Sequence, residues 1–274
     1  MMPPVQITVE GRATRVVQIT DTHLEQSAGG RLAGMDTDAS LALVLAMIRD
    51  APERPDLLLL TGDLATESSA AAYRRVRDAV AVLDIPWVWI PGNHDDPAVM
   101  SAVLSDGASM QRVVELPGWQ IVLLDSTERR QVGGTLGTAE LAALSEALEA
   151  GAQRHSLICM HHQPVAVGSD WIDEQQVSDA AALFEIIDRH ANVRALLWGH
   201  VHQVFERRHN GIDLLSAPST CIQFKPGSED FALDTLAPGL RWLWLHPDGQ
   251  LETRVDRVAN FSLEYDRDSA GYMS

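Results

Sequence analysis

Five short apolar runs, each broken off by a cluster of Asp, His or Asn, constrain this chain more than any other feature. Residues 15–19, 57–60, 87–90, 156–160 and 195–198 read as buried strands. They run into Asp21 with His23, Asp63, Asn93 with His94, His161, and His200 with His202. Between them lie helical stripes. Leu41, Val44, Leu45 and Ile48 place an amphipathic helix over 37–49, with Asp36 or Thr37 as its cap. Tyr73, Val76, Val80 and Leu83 mark a second helix. Leu141, Leu144 and Leu148 mark a third that ends near Gly151, and Leu183, Ile186 and Ile187 a fourth. Strands alternating with helices specify an α/β fold. Sites in such folds form in the crevice beyond the carboxyl ends of the strands.

The remaining signals are turns. Residues 5–10 and 15–19 read as two strands around Gly11, and 119–124 as another strand ending at Asp125-Ser126. Asn210-Gly211, between 204–208 and 212–215, is a strong hairpin signal. Pro247-Asp248-Gly249 turns a last hairpin. Both hairpins add antiparallel strands, so the sheets are expected to be mixed. Residues 1–260 are expected to form a single domain, with 261–274 a polar tail and a candidate for disorder.

Asp and Glu total 38 against 21 Lys and Arg, a formal net charge of −17. That field repels a nucleic-acid backbone and favours a small substrate held by local positive charge. Bound metal ions would supply such charge without entering the count. The two cysteines, Cys159 and Cys221, sit in apolar surroundings. They read as buried thiols of a reducing compartment, with a single disulfide as the alternative. Residues 1–15 show no secretory pattern, and no apolar run approaches the ~20 residues that cross a bilayer. The expectation is a cytoplasmic protein without nucleic-acid or membrane partners, and with a homodimer as the assembly to test.

The polar clusters carry the chemistry. In Pro91-Gly92-Asn93-His94-Asp95, Pro91 and Gly92 end a strand and deliver an amide oxygen and an imidazole to its tip. Each cluster has a plainer reading alone. Asp21 and Asp63 read equally as helix caps, His161 as a hydrogen-bonded core histidine, and His200 with His202 as surface residues sharing one face of an extended segment. Together they offer Asp, His and Asn without Cys, a nitrogen and oxygen donor set that suits Mn, Fe, Co or Zn. Seven donors exceed what one tetrahedral ion needs. Two ions sharing a bridging carboxylate would use all seven, a known arrangement for phosphoryl chemistry.

In this order Asp-x-His, Gly-Asp, Gly-Asn-His-Asp, the His161-His162 pair and Gly-His-x-His resemble the calcineurin-like metallophosphoesterases. The motifs span Asp21 to His202. The resemblance implies a four-layer α/β/β/α sandwich with two mixed sheets. It implies two transition-metal ions, Fe and Mn foremost and Zn or Co as alternatives. Asp21, His23, Asp63 and His202 would hold one ion, and Asp63, Asn93, His161 and His200 the other, with Asp63 as the bridge. Asp63, Asn93 and His94 would serve catalysis, His94 without binding metal. Gln163 stands after the His pair where many relatives carry Pro, a change expected at the pocket rim.

Asp21-Thr22-His23-Leu24, residues 218–226 and residues 234–239 resemble the class III cyclic nucleotide phosphodiesterases within that family. This second resemblance implies hydrolysis of a small cyclic nucleotide, 3′,5′-cyclic AMP to 5′-AMP, by water activated between the ions. The alternatives are a broader phosphoesterase, acting on 2′,3′-cyclic nucleotides, glycerophosphodiesters or nucleotide sugars, and a metal- and nucleotide-binding regulator without turnover. Phe224 reads as a base-stacking ring or a core aromatic, and Lys225 as a phosphate contact or a solvated lysine.

Overall fold

The first half of the chain builds β1 (Val5–Gln6), β2 (Thr14–Ile19), β3 (Arg31–Leu32), β4 (Met35–Asp36), α1 (Thr37–Arg49), β5 (Leu57–Thr61), α2 (Ala70–Ala81), β6 (Trp87–Ile90) and α3 (Pro97–Val103). The second half builds β7 (Val113–Leu116), β8 (Trp119–Leu123), α4 (Gly137–Ala150), β9 (His155–Cys159), α5 (Asp170–Asp173), α6 (Ala180–Ile187), β10 (Val193–Trp198), β11 (Phe205–His209), β12 (Ile212–Ser216), β13 (Gly239–Leu245) and β14 (Leu251–Arg257). The structure is a computed structural model that describes residues 5–104, 111–266 and 269.

Two mixed sheets carry the architecture. The seven-stranded sheet is ordered β1-β7-β8-β9-β10-β12-β11 and the five-stranded sheet β14-β13-β2-β5-β6. In the first, β8, β9, β10 and β12 are parallel. In the second, β2, β5 and β6 are parallel. The Asn210-Gly211 hairpin pairs β11 with β12, and the turn at 247–249 pairs β13 with β14, both antiparallel.

The apolar runs explain the layers. Successive side chains of a strand point to opposite faces, so a parallel strand covered on both sides must be apolar at every position. In β5, Leu57 and Leu59 enter the core between the sheets, with Val16, Ile121, Leu157 and Leu197. Leu58 and Leu60 face the other way, onto Leu41 and Val44 of α1 and Tyr73 and Val76 of α2. Across the molecule, Ile158 and Leu196 pack on Leu144 and Leu148 of α4 and on Leu183 and Ile187 of α6. Each such burial contributes about 1.5–3 kcal/mol. The result is the expected α/β/β/α order. Asp36, not Thr37, caps α1: its Oδ1 accepts from the Ala39 N–H at 2.9 Å.

Two expectations are corrected and one strand is added. Of residues 5–10 only Val5–Gln6 forms a strand, β1, which runs parallel to β7 at the far edge of the seven-stranded sheet, whereas β2 belongs to the other sheet. The alternation in 5–10 is that of a half-exposed edge, which finds a partner wherever one lies open. Strand β7 went unread, although Pro117-Gly118 marks its hairpin with β8. The tail is not free over 261–266. Phe261 and Tyr265 pack against the core, Tyr265 Oη donates to the Asp234 carbonyl at 2.8 Å, and Asp266 N donates to the Ala33 carbonyl at 2.8 Å. Two aromatic rings in a polar stretch are enough to dock it. Residues 267, 268 and 270–274 of that tail lie outside the described residues.

Candidate active site

The strands that carry the polar clusters are β2, β5 and β6, adjacent in one sheet, and β9 and β10, adjacent in the other. Their carboxyl ends meet. The sheets are stitched at this edge: Gln18 Nε2 donates to the Trp198 carbonyl at 2.9 Å, and Thr220 N to the Thr20 carbonyl at 3.1 Å. Two glycines allow the approach. A Cβ on Gly199 would fall on Thr20 Oγ1 and Asp21, and one on Gly62 would fall on the His161 ring.

All eight expected side chains converge here. His161 Nε2 lies 3.3 Å from Asp63 Oδ2, 4.0 Å from Asp21 Oδ1 and 3.2 Å from Asn93 Oδ1. His202 Nε2 lies 3.4 Å from Asp21 Oδ1 and 3.2 Å from His23 Nε2. His23 Nε2 lies 3.7 Å from Asp63 Oδ2. The ring of His200 is 5.1 Å from that of His161. His94 joins His23 and Asp63 in one cluster whose donor atoms lie within 4.8 Å of one another. Asp21, His23, Asp63, His161, His200 and His202 are buried.

The backbone there is strained. Asp21, His23, Asp63, His200 and His202 have φ between 45° and 64°, the left-handed region that side chains other than glycine rarely adopt. Each costs on the order of 1–3 kcal/mol, and such residues gather at functional sites. This corrects the reading of His200 and His202 as neighbours on an extended segment.

Second contacts fix the rings. His161 Nδ1 lies 2.7 Å from the Thr61 carbonyl, His202 Nδ1 2.8 Å from that of Ile222, and His94 Nδ1 2.9 Å from that of Thr66. A carbonyl only accepts, so each Nδ1 carries a proton and each Nε2 is the position left to bind an ion or exchange a proton. His200 Nε2 is buried with no hydrogen-bond partner among the described residues. Burial, above all, keeps His23 and His200 well below the ordinary histidine range. Burial alone would raise the Asp63 carboxyl, but the charges of His161 and His94 reverse this and hold it well below its ordinary value. Burial likewise opposes a charge on His161, yet Asp63 and Asp21 raise it to about 9. The two carboxylates thus make a site of strong affinity for positive charge. Ring nitrogens aimed inward, an unpartnered buried nitrogen and that negative potential fit metal ions.

Several participants were not read from the sequence. Asp95 accepts from the backbone nitrogens of Gly92, Leu64 and Ala65 at 2.9–3.2 Å, which locks the Asn93 turn to the Asp63 turn. Desolvation, then the Asp63 charge, pushes Asp95 up to about 6. His162 also faces the cluster: its ring lies 4.7 Å from that of His200. Its Nδ1 faces the Ser126 hydroxyl at 2.8 Å and its Nε2 the Val132 carbonyl at 3.2 Å. Gln163 does not reach the rim. It is fully buried, and its Nε2 donates to the Ile172 carbonyl at 2.6 Å. Phe224 is 3% exposed and lies parallel to the His202 ring, centroids 3.9 Å apart and planes 4° off. Lys225 is exposed. The site opens into a pocket of about 130 Å³ lined on one side by Asp63, Asn93, His94, His200 and His202, and continued by Val132, Trp171, Ile172, Gln175 and Phe224.

The sequence pattern of the calcineurin-like phosphoesterases matches residues 14–204. The chain belongs to this family. Calcineurin-like phosphoesterases of this kind use two divalent metal ions, and the Asp and His clusters described here can hold metal. The chain is 42% identical over 257 residues to a Pseudomonas aeruginosa protein named 3′,5′-cyclic adenosine monophosphate phosphodiesterase CpdA, covering 94% of each chain. It is 42% identical over 260 residues to the protein of the same name from Escherichia coli strain K12, again covering 94% of each. Among solved structures it resembles a dimetal phosphatase from Danio rerio, with a TM-score of 0.64 at 15% identity, covering 91% of this chain and all of that one. That likeness carries the calcineurin-like fold. No helix among the described residues is long and apolar enough to cross a membrane.

Proposed function

We propose that the chain hydrolyses 3′,5′-cyclic AMP to 5′-AMP. The observation that carries this reading is the 42% identity, over 94% of both chains, to proteins named for that reaction. We assign Asp21, His23, Asp63 and His202 to one ion and Asp63, Asn93, His161 and His200 to the other. Iron and manganese suit this nitrogen and oxygen donor set, with zinc or cobalt as substitutes. Bound ions would supply charge neutralisation at the phosphoryl group and a lowered pKa for water.

The protein's own groups do the rest. The Asn93 amide and the His94 ring face the place of the phosphoryl group, where they orient its oxygens. His94, with Nδ1 held by the Thr66 carbonyl, has Nε2 as its exchangeable position. From there it gives a proton to the departing ribose O3′. Asp63 accepts from the His94 N–H at 2.9 Å, so the acid and the proposed bridging carboxylate are placed by one another. A net charge of −17 favours a small monoanionic diester over a polymer. Residues 1–260 act as one catalytic unit, which we place in the cytoplasm.

The test is kcat/KM at fixed Mn for 3′,5′-cyclic AMP, 3′,5′-cyclic GMP, a 2′,3′-cyclic nucleotide and bis(p-nitrophenyl) phosphate. Cyclic AMP is expected to lead. Equal rates on all four would make the protein a broad phosphodiesterase, and a tenfold 2′,3′-cyclic preference would overturn the assignment.

A further inference from the structure

The pocket beyond the polar cluster is walled by apolar groups, and a phosphodiester needs none of them. Val132, Trp171, Ile172 and Phe224 line it beside the Gln175 amide. An apolar wall next to a phosphoryl site is where the rest of the substrate must lie. Two of these groups have aromatic rings, and one is already taken: Phe224 is 3% exposed and parallel to the His202 ring at 3.9 Å. Trp171 is only half-buried.

Trp171 is also held rigidly. Its ring meets Phe224 edge-on at 4.9 Å and Phe231 edge-on at 5.2 Å. Its Nε1 donates to Ser228 Oγ at 3.3 Å. The turn that carries it is fixed from both sides. Asp170 N donates to the Ser228 carbonyl at 3.1 Å, and Gln163 Nε2 donates to the Ile172 carbonyl at 2.6 Å. Gln163 directly follows the His161-His162 pair, so the floor of the polar site and the indole are braced by one segment. An immobilised ring loses little freedom when a ligand settles on it, and stacking is open to any base because every base has a π-face.

We propose that Trp171 is the stacking platform for the nucleobase, with Val132 and Ile172 completing the apolar wall, and so determines that a nucleoside phosphodiester is preferred to one without a base. The proposal rests on the cyclic nucleotide reading above. The plainer alternative, that Trp171 merely fills the core beside Phe224 and Phe231, predicts the same loss on every substrate.

The experiment uses metal-loaded full-length protein and its Trp171→Ala and Trp171→Phe variants, with metal content measured on each. Two substrates share the cyclic diester: 3′,5′-cyclic AMP, and methyl β-ribofuranoside 3,5-cyclic phosphate, which has no base. The wild type is expected to favour cyclic AMP. Trp171→Ala is expected to lower the ratio of the two kcat/KM values by roughly tenfold or more, the scale of one base–aromatic stack. The loss should appear in KM for cyclic AMP, and Trp171→Phe should restore most of it. An equal fall on both substrates, or no fall, overturns the platform while leaving the phosphodiesterase reading in place. A wild type that turns over the base-free diester as well as cyclic AMP does the same. If the wild type hydrolyses neither cyclic diester but cleaves other phosphoesters, the cyclic nucleotide reading fails and the platform falls with it.

Discussion

Truncating His94 separates the two roles a histidine can have at this site. His94→Ala removes the imidazole but keeps the main-chain N–H that donates to Asp63 Oδ1 at 2.9 Å, so the carboxylate stays where it is. The ring lies within reach of Asp63 and His23, close enough to be a ligand by distance alone. Its hydrogen bond to the Thr66 carbonyl leaves Nε2 to exchange the proton, which suits an acid. A positioned acid contributes roughly 10²–10⁴ in rate. That corresponds to about 2.7–5.4 kcal/mol of transition-state stabilisation at about 1.36 kcal/mol per tenfold. The whole of it is needed when the leaving group is a ribose alkoxide, and little of it when the leaving group is p-nitrophenolate. The assay is therefore kcat for cyclic AMP and for bis(p-nitrophenyl) phosphate, alongside elemental analysis of the same preparation. The expected result is an unchanged metal content, a loss of about 10²–10⁴ on cyclic AMP and a much smaller loss on the activated diester. A variant that loses an ion, or loses equal rate on both substrates, would refute the assignment of His94 as an acid.

Asp63 lies 3.3 Å from His161 Nε2 and 3.7 Å from His23 Nε2, so both proposed ion positions depend on it. Mn-loaded wild type should approach two ions per chain and Asp63→Ala one or fewer; two retained ions in the variant would remove the bridge. Far from the site, Asp56 accepts from both Arg12 terminal nitrogens at 2.7 Å and from the Arg15 N–H at 2.8 Å. Burial pushes its carboxyl up, but these hydrogen bonds outweigh it and hold the pKa below the ordinary value. A lowered folded-state pKa gives stability that is present above the unfolded value of about 3.9 and is lost as pH falls through the folded one. The gap in melting temperature between wild type and Asp56→Asn should thus be widest near neutral pH and close below about pH 4. A gap that ignores pH would show that the stabilisation is not electrostatic.

Much of the site was legible because its residues follow strands of continuous apolarity. Leu57 to Leu60 is buried on both faces, so β5 had to be interior, and the first polar groups after it had to emerge at an edge. The same logic holds for β2, β6, β9 and β10. What could not be read depends on segments that meet only in three dimensions. Phe224 is adjacent to nothing in sequence that names His202 as its partner, and Trp171 approaches the pocket only because Gln163 and Ser228 hold its turn. The hairpin of β7 and β8 was missed for a different reason. Its turn signal was present, but Val113 to Leu116 alternates beside the short edge strand β1 and is too short to stand out from a loop.

The spacing of the ligand pairs shows where local reading reaches its limit. In an extended segment, residues i and i+2 share a face but stand about 6.6 Å apart along the strand. Asp21 with His23, and His200 with His202, have that spacing, and on an extended backbone each pair would spread along the sheet edge. Left-handed φ values at all four positions bend each three-residue turn back on itself instead. The bends are held by neighbours in the opposite sheet. His200 N donates to both Asp21 carboxylate oxygens at 3.1 Å, and Ser219 Oγ donates to the Asp21 carbonyl at 2.8 Å. His202 Nε2 thereby arrives 3.2 Å from His23 Nε2, although the two residues leave different sheets. Five non-glycine residues in this conformation are a sizeable cost at 1–3 kcal/mol each, on the order of total domain stability. The cost is tolerable because the fully packed layers behind the site hold these turns in place. The strain is therefore part of how the site is made: residues two apart in sequence can converge on one centre only where the backbone turns left-handed and the core keeps it there.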